Sequence, residues 1–187
     1  MKKVSFVSTN EKKFKEIDDR LKSFDIELEF IELELREIQS NLLEDIASVK
    51  SDYAYGIIKK PLIVEDTGIF ILGLNNFPGP YSSYVFKTIG NEGILTLLRN
   101  RSDRDALFKT IITFNNGKIR EMFTGELKGK IASKEKGAGW GYDPIFVSIN
   151  YSLTYGELEF QSKVSISQRT LAADKFANWF IKTESGQ

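Results

Sequence analysis

The chain has 187 residues, which fits one domain or one domain with two lobes, and its 26 Lys and Arg residues balance its 26 Asp and Glu residues. Because a net charge of zero leaves no field of one sign over the surface, the composition disfavours a nucleic-acid-binding protein. The sequence contains neither Cys nor His, which excludes thiolate nucleophiles and histidine bases; acid–base and metal chemistry must therefore use carboxylates, which favour a hard cation such as Mg²⁺.

The first predicted element is a strand at Lys3–Val7, which ends in a polar turn that carries Lys12 and Lys13. Apolar residues then recur at helical spacing, at Phe14, Ile17, Leu21 and Phe24. A strand that leads through such a turn into a helix offers backbone N–H groups, the positive end of the helix dipole and a cation, which together suit a phosphate. The alternative, which these residues leave open, is a helix capped by Ser8 or Asn10 with a solvated basic turn.

The next segments predict an α/β core. Ile26–Leu33 alternates apolar and acidic residues, as a half-buried strand does. Leu43–Lys60 is predicted to be a helix that Pro61 ends. Its predicted buried face consists of Ile46, Val49, Tyr53, Ala54, Ile57 and Ile58. Leu62–Val64 is entirely apolar, which is typical of a strand in the centre of a sheet. The order strand, helix, strand, helix, strand defines the fold class.

A long β-hairpin dominates the second half of the predicted fold. Asp105–Phe114 and Lys118–Ile131 are its strands, joined by a tight turn at Asn116-Gly117. A loop rich in turn formers at Asn75–Tyr81 and a helix at Glu92–Asn100 precede it. With no repeat and no clear domain boundary, the sequence predicts a mixed sheet with a hairpin lobe.

Two carboxylates come directly after the predicted central strand, in the segment Glu65-Asp66-Thr67-Gly68. Ligands of α/β sheets bind at the carboxyl ends of strands, and a carboxylate pair there can bind a metal or activate water. The alternative is ordinary turn chemistry before Thr-Gly.

A glycine-rich segment, Gly137–Gly141, surrounds Trp140 and is followed by Asp143. Glycines let a flat ligand approach the backbone closely, and a tryptophan there can stack on it. A core aromatic in a strained turn is the competing interpretation.

Polar side chains collect at the start of the last predicted helix, Ser167–Lys182. The segment Ser162–Arg169 offers hydroxyls with Lys163, Gln168 and Arg169, which suit an anion or a base edge, although a capped helix with a basic turn explains them equally. Together these clusters describe a nucleoside triphosphate site without a Walker-type glycine loop.

The chain resembles, nearly end to end, the inosine triphosphate pyrophosphatase (Ham1-type) family. The resemblance rests on five ordered motifs, namely Ser8–Lys13 (family Thr-Gly-Asn-x-x-Lys), Val64–Gly68 (acidic-Asp-Ser/Thr-Gly), Phe77–Ser82 (Ala-Pro-Gly-x-Tyr-Ser), Gly139–Phe146 (Gly-Phe/Trp-Gly-Tyr/Trp-Asp-Pro-x-Phe) and Ser167–Arg169 (Ser-His-Arg). It implies an α/β fold, an elongated mixed sheet with flanking helices, in a single two-lobed domain over residues 1–187 with a central active-site cleft. It further implies a homodimer that uses Mg²⁺ to hydrolyse ITP, dITP and XTP to the monophosphate and pyrophosphate.

The resemblance also implies roles for individual residues. Those that hold the triphosphate are Ser8, Thr9, Asn10 and Lys13. Those at the metal are Glu37 and Asp66, with Glu65 as their neighbour. Those at the base are Trp140, Gly141, Tyr142, Asp143, Lys163, Ser167, Gln168 and Arg169. The implied catalytic residues are Asp66, which orients and deprotonates the attacking water, and Lys13, which stabilises phosphoryl charge.

Two positions depart from the family pattern. Thr9 replaces a glycine, which affects backbone approach to phosphate, and Gln168 replaces the histidine. A glutamine amide can donate to the C6 oxygen of inosine or accept from adenine. Relaxed or different base preference, or a non-catalytic nucleotide sensor, therefore remain alternatives.

We expect a cytoplasmic protein with no membrane or nucleic-acid partner. The N-terminal segment lacks the apolar run of a signal peptide, and no apolar run is long enough to span a bilayer.

Overall fold

The structure, a computed structural model, describes residues 2–185. Its strands form one mixed sheet and are β1 (Lys2–Val7), β2 (Ile26–Ile31), β3 (Leu62–Ile71), β4 (Phe77–Gly79), β5 (Asp105–Asn115), β6 (Arg120–Ile131) and β7 (Phe146–Ser148). The α-helices of the described residues are α1 (Glu11–Lys22), α2 (Leu43–Ile58), α3 (Ser82–Thr88), α4 (Gly90–Leu97), α5 (Phe160–Ile166) and α6 (Gln168–Ser185). The predicted mixed α/β fold is therefore confirmed.

The sheet has the order β2-β1-β3-β5-β6-β7, and β4 pairs with β3. β1 lies parallel to both β2 and β3, which the connecting helices α1 and α2 require. β4 is antiparallel to β3, and β7 is antiparallel to β6. The parallel strands β1, β2 and β3 are thus the first three strands along the chain, as the sequence predicts.

The chain divides into two compact units, each with a hydrophobic core of its own. The first unit contains residues up to Asp66, Thr110–Gly125 and Gln168 onwards, and the second contains Thr67–Lys109 and Glu126–Ser167. The core of the first unit includes Phe6, Leu21, Ile63, Phe114 and Phe176. The core of the second includes Ile69, Ile94, Phe108, Phe146 and Tyr155. The predicted central cleft stays a prediction.

Helix α1 begins where the sequence predicts. Ile17 and Leu21 are fully buried, because they lie on the apolar face of the helix. Arg20 donates two hydrogen bonds, of 2.5 and 2.9 Å, to the carboxylate of Asp174 on α6. The helix ends at Lys22, so Phe24 packs against the core from the loop that follows.

The predicted buried face of α2 is only partly correct. Ile46 and Ala54 are buried, whereas Val49, Tyr53 and Ile57 are 41%, 37% and 50% exposed. The buried side of the helix instead consists of Leu43, Ile46, Ala47, Ser51 and Ala54. Three of these five side chains are small, which lets the helix approach a neighbouring element closely and leaves Val49, Tyr53 and Ile57 outside the buried side.

The predicted end of the central strand at Val64 is wrong. β3 continues to Ile71, and its end pairs with β4, which lies inside the predicted loop at Asn75–Tyr81. Glu65 and Asp66 are therefore consecutive residues within a strand, and their side chains point to opposite faces of the sheet.

The predicted hairpin and final helix are confirmed within a few residues. The turn between β5 and β6 is closed by Asn116, whose side-chain oxygen accepts from the N–H groups of Lys118 and Ile119. Gly117 has φ +82°, which favours glycine. No helix among the described residues is long and apolar enough to cross a membrane.

Candidate functional site

The turn between β1 and α1 is ordered by its own side chains. The backbone N–H of Asn10 donates to Oγ of Ser8 at 3.0 Å. Asn10 Oδ1 accepts from the N–H groups of Lys12 and Lys13, at 3.0 and 3.2 Å. Asn10 therefore caps α1, as the alternative interpretation predicts, and the cap fixes the direction in which Lys13 leaves the helix. Thr9 is exposed in this turn.

Lys13 reaches back from α1 to β3, where its ammonium group forms an ion pair with the carboxylate of Glu65. Arg169, in the first turn of α6, donates through Nε to Glu65 Oε1 at 3.1 Å. The guanidinium group also pairs with Glu16 of α1. Two cations and two carboxylates thus form a balanced cluster, of which Glu16, Glu65 and Arg169 are all buried.

The cluster holds Arg169 in its charged form. Burial opposes that charge, but the carboxylates of Glu65 and Glu16 outweigh the effect and raise the pKa of Arg169 above its usual value. Arg169 was predicted to contact the base edge; the structure places its guanidinium group on these two carboxylates. Glu16 is a member of the cluster that the sequence analysis missed, although it lies one helical turn after Lys13.

A second ionic group lies on the opposite face of β3. Lys50, on α2, donates to Asp66 Oδ1 at 2.7 Å and to Glu37 Oε1 at 2.6 Å. Asp66 Oδ2 is buried and has no hydrogen-bond partner among the described residues. One acceptor atom of a buried carboxylate is therefore left for a group that the protein itself does not provide.

Opposing influences set the charge of Asp66. Burial raises its pKa, while Lys50 and Lys13 oppose that change, and the net result is a raised pKa. Lys50 is partly buried, but Asp66 and Glu37 outweigh the effect of burial and raise the pKa of Lys50. The ammonium group of Lys50 is thus the positive charge that keeps this pair of carboxylates together.

Sequence analysis did not select Lys50. It is the one basic residue of α2, and it adjoins the buried Ser51. Lys50 precedes a polar residue on the side of α2 that faces the core, and α2 connects two parallel strands. This pattern is the signal that could have identified Lys50.

The carboxylates of Asp66 and Glu37 fit Mg²⁺. Asp66 and Glu37 supply hard oxygen ligands, and Asp66 Oδ2 has no other partner among the described residues. Over residues 2–185, no cluster of three or more acidic side chains suited to a metal is found. Two carboxylates match the usual binding of Mg²⁺, which retains waters and takes further oxygens from substrate phosphates. Glu65 instead pairs with Lys13 and Arg169.

The second unit brings together several of the residues predicted to bind the base. Lys163 donates to Asp143 Oδ2 at 2.8 Å, and the same oxygen accepts from the backbone N–H of Trp140 at 3.1 Å. The ammonium nitrogen of Lys163 lies 5.3 Å from the centroid of the Trp140 ring, a cation–π distance. Gly139 has φ +133°, and a Cβ there would approach the Asp143 side chain to 2.8 Å. The glycine thus allows the carboxylate of Asp143 to lie against the backbone of Gly139 and Trp140.

Three predicted residues have other surroundings. Tyr142 is buried, its hydroxyl donates to the carbonyl of Ser82 at 2.7 Å, and burial raises its pKa. Ser167 is buried at the end of α5. Gln168 opens α6 in the first unit, where its Oε1 is buried without a hydrogen-bond partner among the described residues.

These features define an α/β protein with a cationic turn after its first strand and a buried carboxylate suited to a divalent cation. The chain matches the model of the Ham1 family over residues 4–179, and it belongs to that family. The resemblance inferred from the five motifs is therefore confirmed.

Similar proteins cover nearly the whole chain. It is 43% identical to a "dITP/XTP pyrophosphatase" of Methanopyrus kandleri, over 99% of this chain and 100% of that protein. It is also 43% identical to a "dITP/XTP pyrophosphatase" of Saccharolobus solfataricus, over 95% of this chain and 93% of that protein. A solved HAM1 protein from Coxiella burnetii aligns with a TM-score of 0.84 and 28% identity, over 97% of this chain and 100% of that chain.

Proposed function

We infer that this protein is a nucleoside triphosphate pyrophosphatase that hydrolyses deaminated purine nucleotides, namely dITP, XTP and ITP. The names of its relatives support this substrate class. The observation that carries the reaction is Asp66, a buried carboxylate beside Lys50 and Glu37 whose Oδ2 has no hydrogen-bond partner among the described residues. The activity removes deaminated nucleotides from the pool before they enter nucleic acid.

The reaction is a hydrolysis next to the nucleoside. The oxygen of water bonds to the α-phosphorus, and the bond from that phosphorus to the leaving pyrophosphate oxygen breaks. Asp66 orients the attacking water and accepts its proton, and Lys50 opposes the effect of burial on the pKa of Asp66. Lys13 stabilises the charge that spreads over the phosphoryl oxygens.

Mg²⁺ is the proposed cofactor, and Asp66 and Glu37 would hold it. When bound, the ion neutralises phosphate charge in the transition state. Glu65 positions Lys13 instead of binding the metal, since its carboxylate pairs with Lys13 and Arg169.

The other site residues bind the substrate. Those proposed to hold the triphosphate are Ser8, Thr9, Asn10 and Lys13. Those proposed to bind the base are Trp140, Gly141, Tyr142, Asp143, Lys163, Ser167, Gln168 and Arg169. The ring of Trp140 is partly exposed, as stacking on a purine requires.

Pyrophosphate release from ITP, XTP, dITP, ATP, GTP and CTP tests the proposal. We expect fast Mg²⁺-dependent release from ITP, XTP and dITP, none in EDTA, and none with Asp66→Asn. Binding of these nucleotides without release from any of them would contradict the proposal and indicate a nucleotide sensor.

Relaxed base preference is the second candidate function, and Gln168 favours it. The side-chain amide is buried with Oε1 unpartnered among the described residues, so it can offer either a donor or an acceptor to a base. Release from ATP at a rate near that from ITP would support this candidate.

A homodimer in the cytoplasm completes the proposal. Val49, Tyr53 and Ile57 form an exposed apolar stripe on α2 in the single chain, and a second copy could cover it. Light scattering should give twice the mass of one chain for the parent protein. For Tyr53→Glu it should give the mass of a single chain. A monomer at all concentrations would contradict the dimer.

A further inference from the structure

A loop in the second unit carries Trp140, and its two halves are held differently. We call residues 136–143 the Trp140 loop. In its first half, Gly137 packs directly on the backbone of Gly156, where a Cβ would meet the carbonyl oxygen at 2.0 Å. The N–H of Ala138 donates to the same carbonyl at 2.7 Å. Backbone contacts therefore fix this half.

The second half is held by one backbone hydrogen bond and by side chains. The N–H of Asp143 donates to the carbonyl oxygen of Trp140 at 3.3 Å. Gly141 has φ +62°, and a Cβ built there would meet no atom within 4 Å. Asn91, the second residue of α4, donates through Nδ2 to the carbonyl oxygen of Gly141 at 3.1 Å. That carbonyl belongs to the residue directly after Trp140, so its direction influences where the indole ring points.

The burial of the Asn91 side chain is unfavourable for folding. Its side chain is only 7% exposed, and its Oδ1 is buried with no hydrogen-bond partner among the described residues. A buried acceptor without a partner destabilises the folded state, so an apolar residue of similar shape would serve packing as well or better. The one polar contact that the structure records for the amide is the bond to Gly141.

We propose that Asn91 is a positioning residue for base recognition, because its hydrogen bond to Gly141 helps to hold the Trp140 ring beside Lys163. This inference rests on the proposed stacking of Trp140 on the base. Asn91 does not touch the substrate; it acts on affinity for the base and leaves the hydrolytic groups of the first unit unchanged.

The test uses Asn91→Leu in a Trp179→Phe background, in which Trp140 is the one tryptophan. We expect KM for dITP to rise about three- to tenfold, the equivalent of one neutral hydrogen bond, while kcat stays near that of the parent. We expect an unchanged or higher Tm and stronger acrylamide quenching of Trp140 fluorescence. A residue with a merely structural role would lower Tm and leave the ratio of KM to kcat unchanged.

Asn100→Leu is the matched control, since Asn100 is an exposed asparagine of the same unit. It should leave KM and Trp140 quenching unchanged. Asn91→Asp keeps the side-chain shape but removes both donor hydrogens, and it must raise KM as well. If Asn91→Leu does not fold, Asn91→Asp alone decides.

Trp140→Ala separates this inference from the proposal on which it rests. An unchanged KM in Trp140→Ala would overturn stacking and with it the role of Asn91. A raised KM in Trp140→Ala, together with an unchanged KM in both Asn91 variants, would overturn the role of Asn91 alone.

Discussion

The two faces of β3 carry neighbouring carboxylates in opposite situations. Glu65 is paired by Lys13 and Arg169 on one face, whereas Asp66 shares Lys50 with Glu37 on the other and keeps one oxygen without a protein partner. Both side chains are buried, so burial does not distinguish them. The partners distinguish them. A carboxylate between two cations stabilises the fold and positions those cations, while a carboxylate with an unpaired oxygen can take a proton or a metal.

Neutralising Asp66 is expected to have the largest effect. Asp66→Asn keeps the shape but cannot accept the proton of water, so kcat should fall by at least ~10²-fold while nucleotide affinity changes little. Steady-state pyrophosphate release and nucleotide titration measure the two effects. Asp19→Asn, at an exposed position of α1, should retain full activity. Retained turnover in Asp66→Asn would refute the role of Asp66.

Neutralising the paired carboxylate, Glu65, should lower the stability of the fold. Glu65→Gln leaves Lys13 and Arg169 with one buried anion between them, and the free energy of unfolding should fall by about 3 kcal/mol. Urea denaturation monitored by fluorescence measures the change. The exposed Glu121→Gln on β6 is the control and should change stability little. If Glu65→Gln unfolds like the parent, the cluster does not stabilise the fold.

Removing Lys50 should change the pH dependence of the reaction through Asp66. Because Lys50 opposes the effect of burial on Asp66, Lys50→Met should raise the pKa of that carboxyl further. Asp66 acts ionised, and its ionised fraction falls as pH is lowered through its pKa. The acid limb of the kcat/KM profile should therefore move to higher pH.

The control for this shift is Lys60→Met, which removes an exposed charge after the end of α2. Its pH profile should match that of the parent. An acid limb that stays in place in Lys50→Met would mean that Lys50 does not set the ionisation of Asp66.

The smallest expected effect concerns base selection at the start of α6. Gln168→His restores the family residue, which donates to the C6 oxygen of inosine and cannot pair with adenine in the same way. The ratio of kcat/KM for ITP to that for ATP should rise about three- to tenfold. An unchanged ratio would show that Gln168 does not select the base.

Local patterns predicted much of the fold because they depend on neighbouring residues. The helical spacing of Ile17 and Leu21, and the Asn116-Gly117 turn, correspond to the helix and hairpin of the structure. Glu65 and Asp66 were misplaced at the end of a strand, because consecutive acidic residues before Thr-Gly are typical of a turn. Within the strand, cations from α1, α2 and α6 pair with both carboxylates.

The residues of the candidate site that belong to sequence motifs could be predicted. Those that matter because of ion pairs with distant residues could not. Asp66 and Trp140 were selected from their own segments. Lys50 and Glu16 were missed, because their importance comes from contacts with residues distant in the chain. The stripe on α2 was misjudged for a related reason: Ala47 and Ser51 lie toward the core, and small residues give a weak periodic signal.

Side chains along β3 alternate between the two faces of the sheet, so activity depends on the register of this strand. Ser5 of β1 lies opposite Leu62, and its N–H donates to the carbonyl of Pro61, which fixes the alignment of the strand just before the two carboxylates. A shift by one residue would exchange the faces of Glu65 and Asp66. Insertion of a single residue after Pro61 would therefore give each cluster the wrong acid without removing any side chain, and we expect such a protein to lose both turnover and stability.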